Sequence, residues 1–199
     1  MSQVRRSPYL TVVLLLLCWT ASLTYWAGVP LVTSAAHEWQ AAPRNGLFGR
    51  QLWLYVGWSV LLHSNRTHLL LNSLALLICG IGLERIWGST SLGVLVLLAG
   101  VLGSVAQAAW WGYGDIGVSG VVYACAGALL AIRTCGGLAL AKHLRMATIV
   151  LVVWLVIGIV RGATGTPGIG NVSHLVGFSI GVVYALIKER HGPYGRRVA

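Results

Sequence analysis

Six apolar stretches with little chain between them leave this sequence few folds other than a membrane bundle. They run from about Tyr9 to Val29, His68 to Trp87, Ser91 to Trp110, Val118 to Ile132, Met146 to Val160 and Val172 to Ile187. A bilayer core of roughly 30 Å is crossed by about 20 mainly apolar helical residues. The last three stretches are shorter, so their ends are expected to sit shallow or to thin the membrane locally. The four acids, Glu38, Glu84, Asp115 and Glu189, are too few to wet a soluble surface. Only 9% of the chain is charged, against about 25% in an ordinary globular protein. The expected architecture is an all-α membrane protein with six transmembrane helices over residues 9–187. A short cytosolic N-terminus (1–8) precedes them and a basic cytosolic C-terminus (188–199) follows.

The net charge of +10 would suggest a nucleic-acid partner in a soluble domain, but here it follows the topology. With a cytoplasmic N-terminus, ten basic residues lie inside: Arg5, Arg6, Arg85, Arg133, Lys142, Arg145, Lys188, Arg190, Arg196 and Arg197. Arg44, Arg50, Arg66 and Arg161 lie outside. That asymmetry places both termini in the cytoplasm, and no basic run interleaves with a polar face that could bind nucleic acid. The first apolar run is long for a cleaved leader. The one long connection, about residues 30–67, holds Trp39, Trp53, Tyr55 and Trp58 and is expected to lie in the membrane interface. Cys18, Cys79, Cys125 and Cys135 stand singly, so neither a metal site nor a redox pair is expected, and no cofactor is implied.

Polar groups inside apolar spans are costly unless paired or functional, and they occur at three places: His68 with Asn72, Ser119, and His174. Segments two, four and six run in the same direction, and each polar group lies near the start of its segment. All three therefore fall at similar depth below the outer surface. His68 and Asn72 are four apart and share a helix face. They suit either hydrogen-bonding between helices or donation to a developing oxyanion. Gly177 and Gly181 form a small-residue face on segment six, and Gly120, Ala124 and Gly127 form one on segment four. Packing these faces together brings His174 toward Ser119. A serine hydroxyl needs a base to take its proton, and His174 is the candidate. No acid within a span lies at that depth, and nothing directs Asp115 to His174, so the pattern supports a dyad rather than a triad.

Taken in order, these residues resemble the rhomboid family of intramembrane serine proteases. The resemblance rests on Trp53 and His63, His68-Leu69-Leu70-Leu71-Asn72, and Glu84-Arg85 with Gly88. It continues through Gly117-Val118-Ser119-Gly120 with Tyr123, and ends at His174 with Gly177 and Gly181. It implies that Ser119 is the nucleophile and His174 the general base and acid. The Ser119 amide, His68 and Asn72 would form the oxyanion hole, and Tyr123 would pack on the His174 ring. It also implies that the partners are transmembrane protein substrates cut near the outer face after lateral entry from the lipid bilayer.

The chain departs from the family pattern at Leu54, where an arginine commonly follows the tryptophan. It reads as a minimal six-span form without an appended domain or seventh helix. Compactness suggests a bacterial inner-membrane protein. Two narrower readings stay beside the protease: a catalytically silent rhomboid-like protein that retains membrane clients, and a rhombosortase-type processing enzyme. A transporter lacks the inverted repeat and the charged pathway it would need.

Overall fold

The computed structural model describes residues 7–41, 52–111, 116–134, 139–164 and 171–191. Regular structure among them is helical throughout, as hydrocarbon demands of a backbone that must satisfy its own hydrogen bonds. In chain order the elements are α1 (Tyr9–Trp26), α2 (Pro30–Ala41), α3 (Leu52–Leu61) and α4 (Arg66–Ala75). α4 continues through a π turn (Leu76–Gly80) into α5 (Ile81–Trp87). Then come α6 (Ser89–Trp111), α7 (Ser119–Thr134), α8 (Lys142–Ala163) and α9 (Asn171–His191).

Five stretches are long and apolar enough to cross a membrane: Tyr9–Trp26, Arg66–Trp87, Ser89–Trp110, Lys142–Gly162 and Asn171–Arg190. The protein is therefore an integral, multi-pass membrane protein. Two of the stretches expected to be short are not. α8 has 22 residues and α9 has 21, because the helical hydrogen bonds continue through Lys142 to Arg145 and Lys188 to Arg190. Lysine and arginine stems tolerate this by lying along apolar surface while the charged head reaches water.

α7 is the short one. Its 16 residues rise only about 24 Å at 1.5 Å each, less than the roughly 30 Å of a bilayer core. Every residue from Ser119 to Leu129 is buried, so α7 is a central post enclosed by its neighbours. The outward faces of those neighbours carry exposed leucine, isoleucine and valine, such as Leu70, Leu71 and Leu74 on α4 and Val150, Val153 and Val156 on α8.

α7 and α9 run parallel, and their contact is backbone against backbone. A methyl at Gly177 would strike the Gly120 carbonyl, one at Gly181 the Ala124 carbonyl, and one at Gly127 the Phe178 carbonyl. These are the two small-residue faces expected from the sequence. Cys18, Cys79 and Cys125 are free and buried as small apolar groups.

A second fixture joins the chain's start to the turn between α5 and α6. Glu84 is fully buried. Its carboxylate accepts from the Leu10 and Thr11 amides (2.8 and 2.9 Å), the Thr11 hydroxyl (2.6 Å) and the Ser89 hydroxyl (2.6 Å). The two amides belong to the first turn of α1, where a helix has no internal acceptors, so a remote side chain acts as its cap.

The long first connection contains α2 and α3. α2 and the end of α3 form a small core of their own with α1, in which Ala21, Val32, Ala36 and Leu62 are buried, with Tyr25 and Trp58 packed around them. The side chains of Trp39, Trp53 and Tyr55 lie outside the described residues, as do Asp115, Cys135, Arg5, Arg6, Arg44, Arg50, Arg196 and Arg197.

The backbone contact of α9 sets a stability test. Gly181→Ala forces two helices apart, since a carbonyl cannot swing aside, and is expected to cost about 1 to 3 kcal/mol. Gly93→Ala places its methyl at an ordinary 3.5 Å from Leu10 and should leave stability nearly unchanged. Thermal unfolding of both variants in mild detergent provides the check.

Candidate active site

The first helical bond of α7 runs from the Val122 amide to the Val118 carbonyl, which leaves the Ser119, Gly120 and Val121 amides without an intrahelical acceptor. Ser119 thus stands at the positive end of a buried helix, and its side chain is only 8% exposed. The turn before it depends on Gly117, whose φ of +137° is open to few residues other than glycine. The Gly117 amide donates to the Ser59 carbonyl at 2.7 Å. This ties the turn to α3.

His174 lies in the first turn of α9, and its Nε2 is 2.8 Å from the Ser119 hydroxyl oxygen. With that nitrogen unprotonated, the serine hydroxyl donates to it. The Tyr123 ring, one turn beyond Ser119, lies 4.4 Å from the imidazole centroid at a 33° tilt, so it fixes the ring plane by contact. α9 itself is capped from α6. The fully buried Gln107 accepts through Oε1 from the Val172 and Ser173 amides at 3.1 and 3.3 Å.

The α4 pair meets the same turn. A Cβ at Gly117 would fall 2.8 Å from the His68 ring and 3.6 Å from the Asn72 amide nitrogen, so both side chains close on the residue two before Ser119. Asn72 Nδ2 is buried with no hydrogen-bond partner, a costly state for a donor unless a ligand completes it. A polar network holds the other edge of the His68 ring. Asn65 uses its oxygen to accept from the His68 amide (2.9 Å) and its nitrogen to donate to the Ser64 hydroxyl (3.3 Å). The Ser64 hydroxyl oxygen lies 3.2 Å from His68 Nδ1, and the Nε2 edge of the ring faces Gly117.

The structure therefore brings together Ser119, His174, Tyr123, Gly117, His68 and Asn72. Gly120, Gly177 and Gly181 do not reach this center and act one layer behind, in the helix contact. No carboxylate among the described residues takes part, since Glu84 holds α1 and Glu189 accepts from Trp87. Among the described residues there is no grouping of three or more histidine, cysteine or acidic side chains able to hold a metal ion.

Two residues that support the site were given no role by the sequence. Gln107 had a visible signal, an amide in the middle of an apolar span. His63 was marked only as part of a pattern. It is fully buried, receives the Val118 amide at Nε2 over a long 3.5 Å, and bonds the Leu61 carbonyl through Nδ1 at 3.1 Å. Its ring also meets His68 edge to face, with centroids 5.0 Å apart. Burial, and then the neighboring His68, push its pKa down to about 4, partly offset by the Leu61 carbonyl. It is therefore neutral at pH 7 and able to accept.

Comparison with known proteins places this geometry. Residues 49–191 match the family model described as Rhomboid domain. "RHOMBOID-like protein 4" of Arabidopsis thaliana is 32% identical over 152 residues, covering 69% of this chain and 38% of that protein. "Rhomboid protease GluP" of Bacillus subtilis is 27% identical over 157 residues, covering 79% and 31% respectively. "Rhomboid protease AarA" of Providencia stuartii is 43% identical over 58 residues, 29% of this chain and 20% of that one. The chain thus spans well under half the length of these relatives.

The lowered pKa of His63 gives a stability test with a definite sign. Between the ordinary 6.5 and about 4 the unfolded chain binds a proton that the folded chain refuses, so stability falls on acidification through that window and rises with pH. The loss is of order 3 kcal/mol. His63→Gln retains an acceptor but cannot titrate, so its unfolding free energy should fall less steeply than wild type between pH 6.5 and 4. Both proteins share the remaining histidines, and equal slopes would rule the assignment out.

Proposed function

The chain belongs to the rhomboid family, and from that we propose that it is an intramembrane serine endopeptidase acting through a Ser119–His174 dyad. The observation that carries the reading is the 2.8 Å approach of His174 Nε2 to the Ser119 hydroxyl, beside a glycine turn on which the unpartnered amide donor of Asn72 also closes.

In this mechanism His174 takes the Ser119 proton as Oγ attacks the scissile carbonyl. The tetrahedral oxyanion forms beside the free Ser119 amide at the α7 N-terminus, His68 Nε2–H and Asn72 Nδ2–H. Donors held in place before charge develops lower the barrier without reorganizing. His174 then gives its proton to the leaving amine, which separates and leaves an acyl group on Ser119. Water, deprotonated by the same imidazole, attacks the acyl carbon, and collapse returns the proton to Ser119. Tyr123 keeps the imidazole plane aligned through both halves of the cycle.

The substrates in this reading are transmembrane proteins. A short, buried α7 sets Ser119 below the membrane surface, where an entering segment must expose extended backbone, because an intact helix hides its carbonyls. The basic asymmetry puts the site on the outer side, with both termini cytoplasmic. In a bacterial inner membrane the site would face the periplasm.

Purified protein in detergent or liposomes, treated with a fluorophosphonate probe and a model transmembrane substrate, tests this directly. Wild type should be labeled and should cleave, while Ser119→Ala and His174→Ala should do neither. Asn72→Ala should fold yet lose about 10²- to 10³-fold in kcat, the scale of one oxyanion donor. Cleavage that survives Ser119→Ala would defeat the dyad. Substrate binding without cleavage by wild type would favor a silent client-binding protein.

A further inference from the structure

At the end of the bundle away from Ser119, an apolar groove of about 130 Å³ runs between the last turns of α7 and the first turns of α8. Leu129, Leu140, Ile149 and Val152 form its walls, and Arg133 and Arg145 line it as well. Thr148 borders the groove but its hydroxyl donates to the Leu144 carbonyl at 2.8 Å, and the two arginines, both exposed, line the apolar groove with their stems while their charged heads are left to its rim.

Helix electrostatics do not explain both arginines. Arg133 sits in the last turn of α7, where the dipole favors a cation. Arg145 and Lys142 sit in the opening residues of α8, which has no acid in its first turn and no side-chain cap. There a cation is disfavored. Nor is a counter-charge supplied at this end among the described residues, since Glu84 is bonded to α1 and Ser89 and Glu189 accepts from Trp87. Topology accounts for the side of the membrane on which basic residues lie, but not for two guanidinium groups bordering one apolar groove.

We propose that this groove binds one anionic glycerophospholipid. Its phosphate is held by Arg133 and Arg145, and an acyl chain lies along the leucine, isoleucine and valine wall. Guanidinium matches phosphate oxygens in a two-point geometry, and the arginine stems can rest on apolar surface while their heads stay at headgroup depth. Basic pockets between membrane helices are suited to such headgroups. The groove lies at the opposite end of α7 from Ser119, so the lipid is independent of the proposed catalysis.

Native mass spectrometry of the full chain in detergent, titrated with phosphatidylglycerol or phosphatidylcholine of identical acyl chains, tests the proposal. Wild type should retain one phosphatidylglycerol about thirtyfold more tightly than phosphatidylcholine, on the scale of two arginines beside one anionic headgroup. Arg133→Gln with Arg145→Gln should remove that preference, and Arg161→Gln, at the far end of α8, should preserve it. Ile149→Trp fills the groove with both arginines intact and should weaken retention of both lipids. Equal retention by wild type, or a preference that survives the double substitution, overturns the site. Displacement of the lipid by millimolar inorganic phosphate would make it a free-anion site. Displacement by a model transmembrane peptide would make it a peptide groove, and either result overturns the lipid assignment. Should the double variant fail to fold, the wild-type comparison and Ile149→Trp still decide the question.

Discussion

The arrangement at the Ser119 end of this molecule depends on how closely α7 and α9 approach. In lipid, helices gain little from hiding apolar surface from one another, so association rests on packing and on hydrogen bonds between them. Gly120, Gly127, Gly177 and Gly181 let the two backbones meet with no side chain between. A histidine in the first turn of one helix then falls beside a serine in the first turn of the other. Because the two helices run parallel, both first turns lie at the same depth. A larger residue at Gly177 or Gly181 would meet a carbonyl of α7 and press the two helices apart, taking His174 away from Ser119.

Around that contact, polar side chains hold the segments that a membrane helix leaves open. Gln107 caps α9, Glu84 caps α1, and Asn65 caps α4 by accepting from the His68 amide. His63 and the Ser59 carbonyl hold the turn that launches α7. Apart from the exposed Asn65, these are buried polar groups that meet backbone otherwise lacking a partner, which is how a low-dielectric interior tolerates them. Asn72 Nδ2 and Gln107 Nε2 are both buried without a hydrogen-bond partner, but only that of Asn72 faces the glycine turn before Ser119. On the proposed mechanism, a donor left open there is what a transient anion requires.

Much of this was legible from residue types and spacing. The small faces of α7 and α9, the common depth of the polar groups and the approach of His174 to Ser119 all follow from period and direction. Helix lengths were less legible, because hydropathy stops at the first lysine while helical hydrogen bonding does not. α8 and α9 therefore extend past their apolar runs. The aromatic residues of the first connection point to the membrane interface, whereas its small core with α1 emerges only once distant residues such as Ala21 and Leu62 are brought together. The capping contacts were hidden for the same reason. The bonds from Gln107 to α9 and from Glu84 to α1 span 65 and 73 residues or more, and no local pattern encodes them.

The scarcity of acids that marks the composition also shapes the chemistry available to the site. A carboxylate placed behind His174 would hold the imidazole and stabilize its cation, but it would have to be desolvated among apolar helices, at a cost of several kcal/mol unless fully bonded. Glu84 shows what full bonding takes, namely two amides and two hydroxyls. A tyrosine ring stacked on the imidazole orients it with no charge to desolvate, leaving the histidine neutral until the serine proton arrives. On the proposed mechanism, the protein gives up part of the imidazolium stabilization a triad would provide. What it keeps is a site that can be sunk within the membrane.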